Sequence, residues 1–158
     1  MRVVIQRVKK AWVAIDGSCT GKIEHGLLLL VGFESADSFE DLAWVAKKTV
    51  QLRIFDDEAG IMNRSIIDIF EQSGENRPGL LVVSQFTLHA CTKKGNRPSY
   101  VRAAPNEVAI PLYEAFLQQM RTLFPGSIET GCFGAEMEVT LTNDGPVTIW
   151  IDSKNKEY

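Results

Sequence analysis

The apolar run from Leu27 to Phe33 is the feature that most constrains how this chain can fold. A strand with apolar residues on both faces needs cover on both sides, so the run predicts a central strand of a sheet. Its aliphatic part, Leu27 to Val31, lies between glycines and is far shorter than the roughly 20 residues that cross a bilayer. We therefore expect a soluble protein, and 158 residues suit one domain, 1–158, with one core.

Further strands are predicted on both sides of this run. Val3 to Val8 and Trp12 to Ile15 have the composition of short strands, and Asp16-Gly17 is a dipeptide typical of tight hairpins. The hairpin would lead into Cys19 to Ile23, so the chain opens as a meander. Leu80 to Leu88 is the clearest strand of the sequence.

Two main helices are predicted between the strands. Ser38, with an acid three residues later, favours the start of a helix over Phe39 to about Leu52. A second helix should end near Phe124, before a Pro-Gly pair. Its start is open, because Pro111 suits the first helical position but could also kink a helix begun at Asn106.

This order of elements predicts an α+β protein with a curved, largely antiparallel, barrel-like sheet. A meander without regular β-α-β alternation argues against a doubly wound nucleotide-binding fold. The glycines form neither a G-x-G-x-x-G nor a G-x-x-x-x-G-K-[ST] loop, so neither NAD nor ATP is implied.

The cysteines and histidines predict no metal centre and no cofactor. Cys19, Cys91 and Cys132 stand far apart, which fits neither a disulfide framework nor a zinc site. His25 and His89 are the only histidines, although acidic side chains could still bind magnesium. The first residues carry no signal-peptide pattern, and together with the expected free thiols this predicts a cytoplasmic protein.

The charges are distributed unevenly along the chain, which has a net charge of −3. No acidic residue stands between Glu75 and Glu107, and the N-terminal fifteen residues are also basic. If the two segments meet, they would attract phosphate groups; solvated charges without a partner are the alternative. The basic residues of the acid-free segment are Arg77, Lys93, Lys94, Arg97 and Arg102.

Polar side chains continue the strand that begins at Leu80. Alternation along a strand would place Gln85, Thr87 and His89 on one face, where they could line a pocket. The simpler alternative is that they satisfy buried backbone groups or water. His89 and Cys91 also allow a thiol-hydrolase hypothesis, which requires a depressed thiol pKa.

A glycine-proline turn stands between the last two predicted strands. These run from about Ala135 to Thr142 and from Val147 to Asp152, with Asn143 to Pro146 between them. Only about 5 to 6% of X-Pro bonds are cis in folded proteins, so the sequence does not decide the isomer. The absence of a glycine side chain lets such a turn present bare carbonyl oxygens to a ligand, although most turns have no further role.

Two motifs together resemble a known family. Ser84-Gln85-Phe86-Thr87-Leu88 and Asn143-Asp144-Gly145-Pro146-Val147-Thr148 are similar to the paired signature of D-aminoacyl-tRNA deacylases of the Gly-cisPro type. The resemblance covers essentially the entire chain. Other segments that resemble the family in the same order are Ile5 to Val8, Arg53 to Phe55, Gly95 to Tyr100 and Thr130-Gly131.

The resemblance implies a homodimeric editing esterase that acts on aminoacylated tRNA. It would hydrolyse the ester between a D-amino acid, or glycine, and the terminal adenosine, and reject L-aminoacyl-tRNA. Catalysis would rely on positioning and on the substrate 2′-hydroxyl, because no Ser-His-Asp triad is implied. A filter that repels only L side chains cannot reject glycine.

The resemblance also implies roles for individual residues. Gly145 and Pro146 of one subunit would complete the partner's pocket, and Arg7 would hold their carbonyl groups. Gln85 and Thr87 would lie near the scissile ester. Phe86 would support the adenosine, and Tyr100 stands where family members often carry phenylalanine. Implied catalytic residues are Gln85, Thr87, Gly145 and Pro146; implied substrate-binding residues are Arg7, Ser84, Phe86 and Tyr100; expected phosphate contacts are Lys93, Lys94, Arg97 and Arg102.

Two rival hypotheses and one unassigned segment remain. A catalytically silent RNA-binding protein would keep the fold and basic face, and a Cys91–His89 thiol hydrolase would depend on its cysteine. Phe70 to Pro78 is longer than in compact family members, and we expect a surface insertion there, which could affect tRNA contact.

Overall fold

The structure, a computed structural model, describes residues 1–157 and confirms the α+β class. The strands and helices alternate irregularly along the chain. Their bounds are β1 Arg2–Ile15, β2 Ser18–Ile23, β3 Gly26–Gly32, α1 Phe39–Gln51, β4 Phe55–Asp56, β5 Met62–Arg64, α2 Ile66–Gln72, β6 Gly79–Ser84, a 3₁₀ turn Phe86–His89, α3 Asn106–Leu123, β7 Ile128–Thr130 and β8 Glu138–Asp152.

The main sheet is mixed and curves until its ends nearly meet. Its order is β2-β1-β3-β6-β7, and β8 pairs with the other edge of β1. The three pairings of β1 are antiparallel, as expected, but β3–β6 and β6–β7 are parallel. The terminal strands β2 and β7 come together where a Cβ on Gly21 would lie 2.7 Å from the Thr130 carbonyl oxygen. The sheet is therefore close to a barrel.

The expected central strand is β3, which lies between β1 and β6. Leu27, Leu29 and Val31 pack into the core on the side of α1 and α3, where Leu42 and Phe116 are also buried. Leu28 packs into a smaller cluster on the opposite face of the sheet. Both faces of the strand are thus covered, as the apolar run predicts.

Two pairs of predicted strands are in fact single strands. Val3–Val8 and Trp12–Ile15 both belong to β1, whose middle residues Lys9 and Lys10 are exposed. The two final predicted strands likewise form β8, because both halves pair with the same edge of β1. The hairpin between β1 and β2 is confirmed, with Asp16 and Gly17 at φ 49° and 76° as a type I′ turn requires.

The helices begin where local capping signals stand. Ser38 caps α1 and forms a reciprocal capping box with Asp41, as predicted. The short helix α2 was not predicted, although Ser65 and Asp68 form the same box. Helix α3 begins at Asn106, and its internal proline gives up one helical hydrogen bond.

The Phe70–Pro78 segment packs onto the end of α3 rather than projecting freely. The ring of Phe70 meets Phe124 edge-on at 5.6 Å between centroids, and the Arg77 guanidinium stacks 4.8 Å above the Phe70 ring. Pro78 is buried. The segment is anchored at both ends, and a contact with tRNA stays a prediction.

The close approach of β3 and β6 gives a test of this fold. Gly26 has φ +140°, and a Cβ there would lie 1.9 Å from the Gly79 carbonyl oxygen. We expect Gly26→Ala to lower the free energy of unfolding by about 2–4 kcal/mol through backbone strain and overpacking, measured by urea denaturation. Gly74→Ala is the control, because nothing lies within 4 Å of its Cβ position. Equal unfolding midpoints for the two variants would contradict the pairing.

Candidate functional site

A cleft of about 570 Å³ opens where β3 and β6 end side by side. Parallel strands bring their carboxyl ends to one edge of a sheet, so Phe33 and Ser84 meet there. The rest of the wall comes from the segment before α3 and from the loop before β8. Residues at the cleft include Ser84, Gln85, Phe86, Tyr100, Phe133 and Met137.

The polar motif does not continue the strand, which corrects the sequence-based prediction. Strand β6 ends at Ser84, and residues Phe86–His89 form a 3₁₀ turn. Gln85, Thr87 and His89 therefore do not share one face. Gln85 and Thr87 are still together, since the Gln85 amide donates a hydrogen bond to the Thr87 hydroxyl.

His89 lies behind the turn and does not face the cleft. The residue is 1% exposed, and its ring packs against Gly32, where an added Cβ would lie 3.1 Å from the imidazole Cδ2. Burial lowers the pKa of the His89 imidazole, which favours the neutral ring. The Cys91 thiol contacts the His89 backbone carbonyl at 4.0 Å and not the imidazole.

Phe86 and Tyr100 form an aromatic pair at the cleft. Their rings meet edge-to-face with centroids 5.0 Å apart. Phe86 is 57% exposed and Tyr100 is 40% exposed. A β-bridge between Cys91 and Ser99 fastens the loop that precedes Tyr100. Exposed aromatic rings beside a polar cleft are a surface on which a base can stack.

The Gly145-Pro146 motif forms a bulge in β8 and not a turn between strands. Gln6 pairs with Thr148 and Val8 with Asn143, so residues 144–147 bulge opposite a single β1 residue. The Gly145-Pro146 bond is cis, and Gly145 has φ +115°. Both residues are exposed, so the bulge offers backbone to the surroundings.

Arg7 is the β1 residue opposite this bulge, and it is almost completely buried. Its Nη1 donates a hydrogen bond of 2.6 Å to the Ile54 carbonyl, and its Nε lies 3.1 Å from the Asp144 carboxylate. Asp56 adds a second carboxylate 3.4 Å from Nη1. A Cβ on Gly145 would lie 3.2 Å from Nη2, so the guanidinium supports the bulge from below.

Within one chain, the expected site residues fall into two groups. Ser84, Gln85, Phe86 and Tyr100 belong to the cleft, and Thr87 adjoins it through Gln85. The second group is Arg7 with Gly145 and Pro146, none of which lines the cleft.

The opposite wall of the cleft escaped the sequence analysis. Phe133 lies there in the irregular loop before β8, and Met137 lies in the same loop because β8 begins at Glu138 and not at about Ala135 as predicted. The neighbouring Thr130-Gly131 resembles a family segment, but the sequence predicts no site residue in this loop.

The expected phosphate contacts lie mainly on one exposed loop. Lys93, Lys94 and Arg97 are exposed and form no ion pair with other residues of the described chain, whereas Arg102 pairs with Glu34 at 3.3 Å. The N-terminal cations are partly engaged elsewhere, since Arg2 pairs with Asp152 and Arg7 with Asp144. The loop at residues 92–99 therefore carries three exposed cations that form no ion pair within the described chain, and exposed Lys9 and Lys10 add positive charge on β1.

Residues 1–157 contain neither a cluster of metal-binding side chains nor a membrane-spanning helix. Within this range, no three His, Cys, Asp or Glu side chains come close enough together to hold a metal ion. No helix among these residues has the length and apolarity needed to cross a membrane.

Known proteins resemble this chain over almost its whole length. The sequence pattern of the family described as D-Tyr-tRNA(Tyr) deacylase matches residues 4–152. A D-aminoacyl-tRNA deacylase of Bacteroides fragilis is 57% identical over 157 residues, which cover 99% of this chain and 100% of that protein. One of Chromobacterium violaceum is 54% identical over the same coverage.

Solved structures share the fold. One described as c-Myc DNA Unwinding Element Binding Protein is 39% identical, with a TM-score of 0.86 over 96% of this chain and 98% of its own. The same fold is found in a probable eukaryotic D-amino acid tRNA deacylase, with a TM-score of 0.78. That protein is 16% identical, and the match covers 95% of this chain and 97% of its own. With relatives more than half identical over their full length and a family pattern that spans residues 4–152, this chain belongs to the D-Tyr-tRNA(Tyr) deacylase family.

Proposed function

We propose that this protein hydrolyses D-aminoacyl-tRNA to free D-amino acid and reusable tRNA, and that it rejects L-aminoacyl-tRNA. The observation that carries the proposal is the cleft at the ends of β3 and β6, which is lined by the family's Ser84-Gln85-Phe86 segment. Glycyl-tRNA is included as a substrate, because a site that excludes L side chains has no means of excluding a residue without one. The cytoplasm, where charged tRNA is used, is the proposed location.

The cleft suits the terminal adenosine in size and chemistry. Its volume of about 570 Å³ lies within the usual range for small-molecule sites. Phe86 and Tyr100 offer partly exposed rings for stacking, while Ser84 and Gln85 add polar groups. The aminoacyl ester would then lie beside Gln85 and Thr87.

The proposed chemistry needs no strong side-chain base. Water adds to the ester carbonyl carbon, the bond to the ribose 3′-oxygen breaks, and a proton passes to that oxygen. The amide of Gln85 and the hydroxyl of Thr87 can orient the water and the ester but do not ionise at neutral pH. The substrate 2′-hydroxyl, adjacent to the leaving oxygen, is the proposed proton carrier.

The stereochemical filter is proposed to come from a second copy of the chain. The Gly145-Pro146 bulge is exposed and is not part of its own chain's cleft. In a homodimer, each bulge would enter the partner's cleft and offer backbone carbonyls to the α-amino group of the substrate. Arg7 would keep the bulge in place from below, and an L side chain would collide with the backbone.

The geometry disfavours the thiol-hydrolase alternative. A nucleophilic cysteine needs a base within hydrogen-bonding reach of its sulfur. The His89 ring is buried behind the turn, and the Cys91 sulfur contacts a backbone carbonyl instead. A catalytically silent RNA-binding protein would keep the same cleft and basic loop. Only a measurement of substrate turnover distinguishes it from the proposed hydrolase.

The direct test compares D-tyrosyl-tRNA and L-tyrosyl-tRNA as substrates. We expect release of D-tyrosine at a kcat/KM at least about 100-fold above that for the L ester, because the filter acts through steric exclusion. Cys91→Ala serves as the control and should leave the rate within about twofold, as the thiol has no role in the chemistry. Binding without cleavage would support the silent RNA-binding protein, and loss of activity in Cys91→Ala would support the thiol hydrolase.

The bulge is tested by Gly145→Ala. A Cβ at this position would lie 2.8 Å from the Val147 side chain and 3.2 Å from Arg7 Nη2, on a backbone with φ +115°. We expect kcat/KM for D-tyrosyl-tRNA to fall on the order of 100-fold, because the carbonyls are displaced. The control is Gly17→Ala in the β1–β2 hairpin, which also has positive φ but nothing within 4 Å of its Cβ position. Similar kcat/KM values for both variants would show that the bulge is not part of the site.

The basic loop is tested through the salt dependence of tRNA binding. Each phosphate contact contributes roughly one unit to the slope of log K against log salt. Replacing Lys93, Lys94 and Arg97 together with Gln should therefore weaken binding and flatten the slope by about 2 to 3. Lys47→Gln on the exposed face of α1 should leave the slope unchanged. An unaltered slope in the triple variant would show that the loop does not contact the tRNA.

A further inference from the structure

Arg2, on β1, joins the 3₁₀ turn of the site to strand β8. Its Nη1 donates a 2.8 Å hydrogen bond to the Leu88 carbonyl oxygen, and its Nε donates one of 2.8 Å to the Asp152 carboxylate. The guanidinium also stacks 5.5 Å from the centre of the Trp150 ring. The side chain is 18% exposed, so these contacts are largely shielded from water.

The turn is only four residues long, so contacts from outside help to fix its position. The Leu88 N–H donates to the Gln85 carbonyl at 3.3 Å, and the Ala90 N–H donates to the Thr87 carbonyl at 3.0 Å. A single 3₁₀ turn is a weak element, and contacts from outside decide where it lies. At the start of the turn, the Gln85 N–H donates a hydrogen bond to the Val31 carbonyl of β3. At its other end, Arg2 binds the Leu88 carbonyl, so the turn is held from both ends.

The space beneath the turn is provided by the residue that pairs with Arg2. Gly32 is the register partner of Arg2 on β3, and its missing side chain leaves room for the Gln85 carbonyl and the His89 ring. A Cβ on Gly32 would lie 2.7 Å from the Gln85 oxygen. Burial, and to a smaller degree the Arg2 charge, lower the pKa of His89, so the buried ring stays neutral beside the guanidinium.

We propose that Arg2 is a positioning residue for the reaction, which rests on the proposed function. It does not line the cleft and would not touch the substrate. It acts through Leu88, and thereby fixes where Gln85 and Thr87 stand relative to the scissile ester. Binding of the adenosine and of the phosphates depends on other residues, so loss of Arg2 should lower kcat far more than it raises KM.

The kinetic test uses Arg2→Ala, Arg2→Lys and Asp152→Ala with D-tyrosyl-tRNA. Arg2→Ala should lower kcat on the order of 10- to 100-fold with KM changed less than about threefold, because catalytic groups are displaced without losing substrate contacts. Arg2→Lys should recover part of kcat, since one ammonium can still reach the Leu88 carbonyl. Asp152→Ala removes the ion pair but keeps the Leu88 contact, and should retain kcat within about threefold.

A second measurement does not depend on activity. Amide hydrogen exchange at Leu88 and Ala90 should be faster in Arg2→Ala than in Asp152→Ala, with thermal unfolding midpoints recorded for both. Unchanged exchange, or an equal loss of kcat in the two alanine variants, would overturn the positioning role. Failure of the unmodified protein to cleave D-tyrosyl-tRNA would instead refute the proposed function, and the exchange result would still decide whether Arg2 holds the turn.

Discussion

The pairing of β1 with three other strands is the interaction on which the rest of the structure depends. Over its first half, β1 lies between β3 and β8, and over its second half between β2 and β8. Its buried residues belong to both apolar clusters, with Ile5 in the larger cluster and Val13 in the smaller one. Because β3 carries β6 on its other edge, this one strand sets the distance between the cleft and the bulge.

Features encoded by neighbouring residues could be predicted from the sequence. The Leu27–Phe33 run, the Asp16-Gly17 hairpin and the Ser38 cap each depend on interactions within a few residues, and each was found as expected. The single strand β8 was missed because a bulge and a turn share the same residue preferences. Helix α2 was overlooked although its capping box was readable at Ser65.

The candidate site was predictable as motifs but not as geometry. The Ser84–Leu88 motif has the composition of a strand end, but β6 ends at Ser84, and Phe86–His89 form a 3₁₀ turn that distant residues contact. Those contacts come from Gly32 on β3 and from Arg2 on β1, which no local pattern reveals. The same limit explains why the cleft wall at Phe133 was missed, and why His89, adjacent in sequence to the motif, lies behind the turn.

The bulge in β8 is framed by paired residues on both sides. Asn143 and Thr148 each keep a partner on β1, and their side chains are joined by a 3.3 Å hydrogen bond across the base of the bulge. Pairing with β1 therefore continues on both sides of the bulge, with a shift of register across it. Backbone without large side chains can thus protrude from the middle of a long strand, while the flanking residues keep that strand attached to β1.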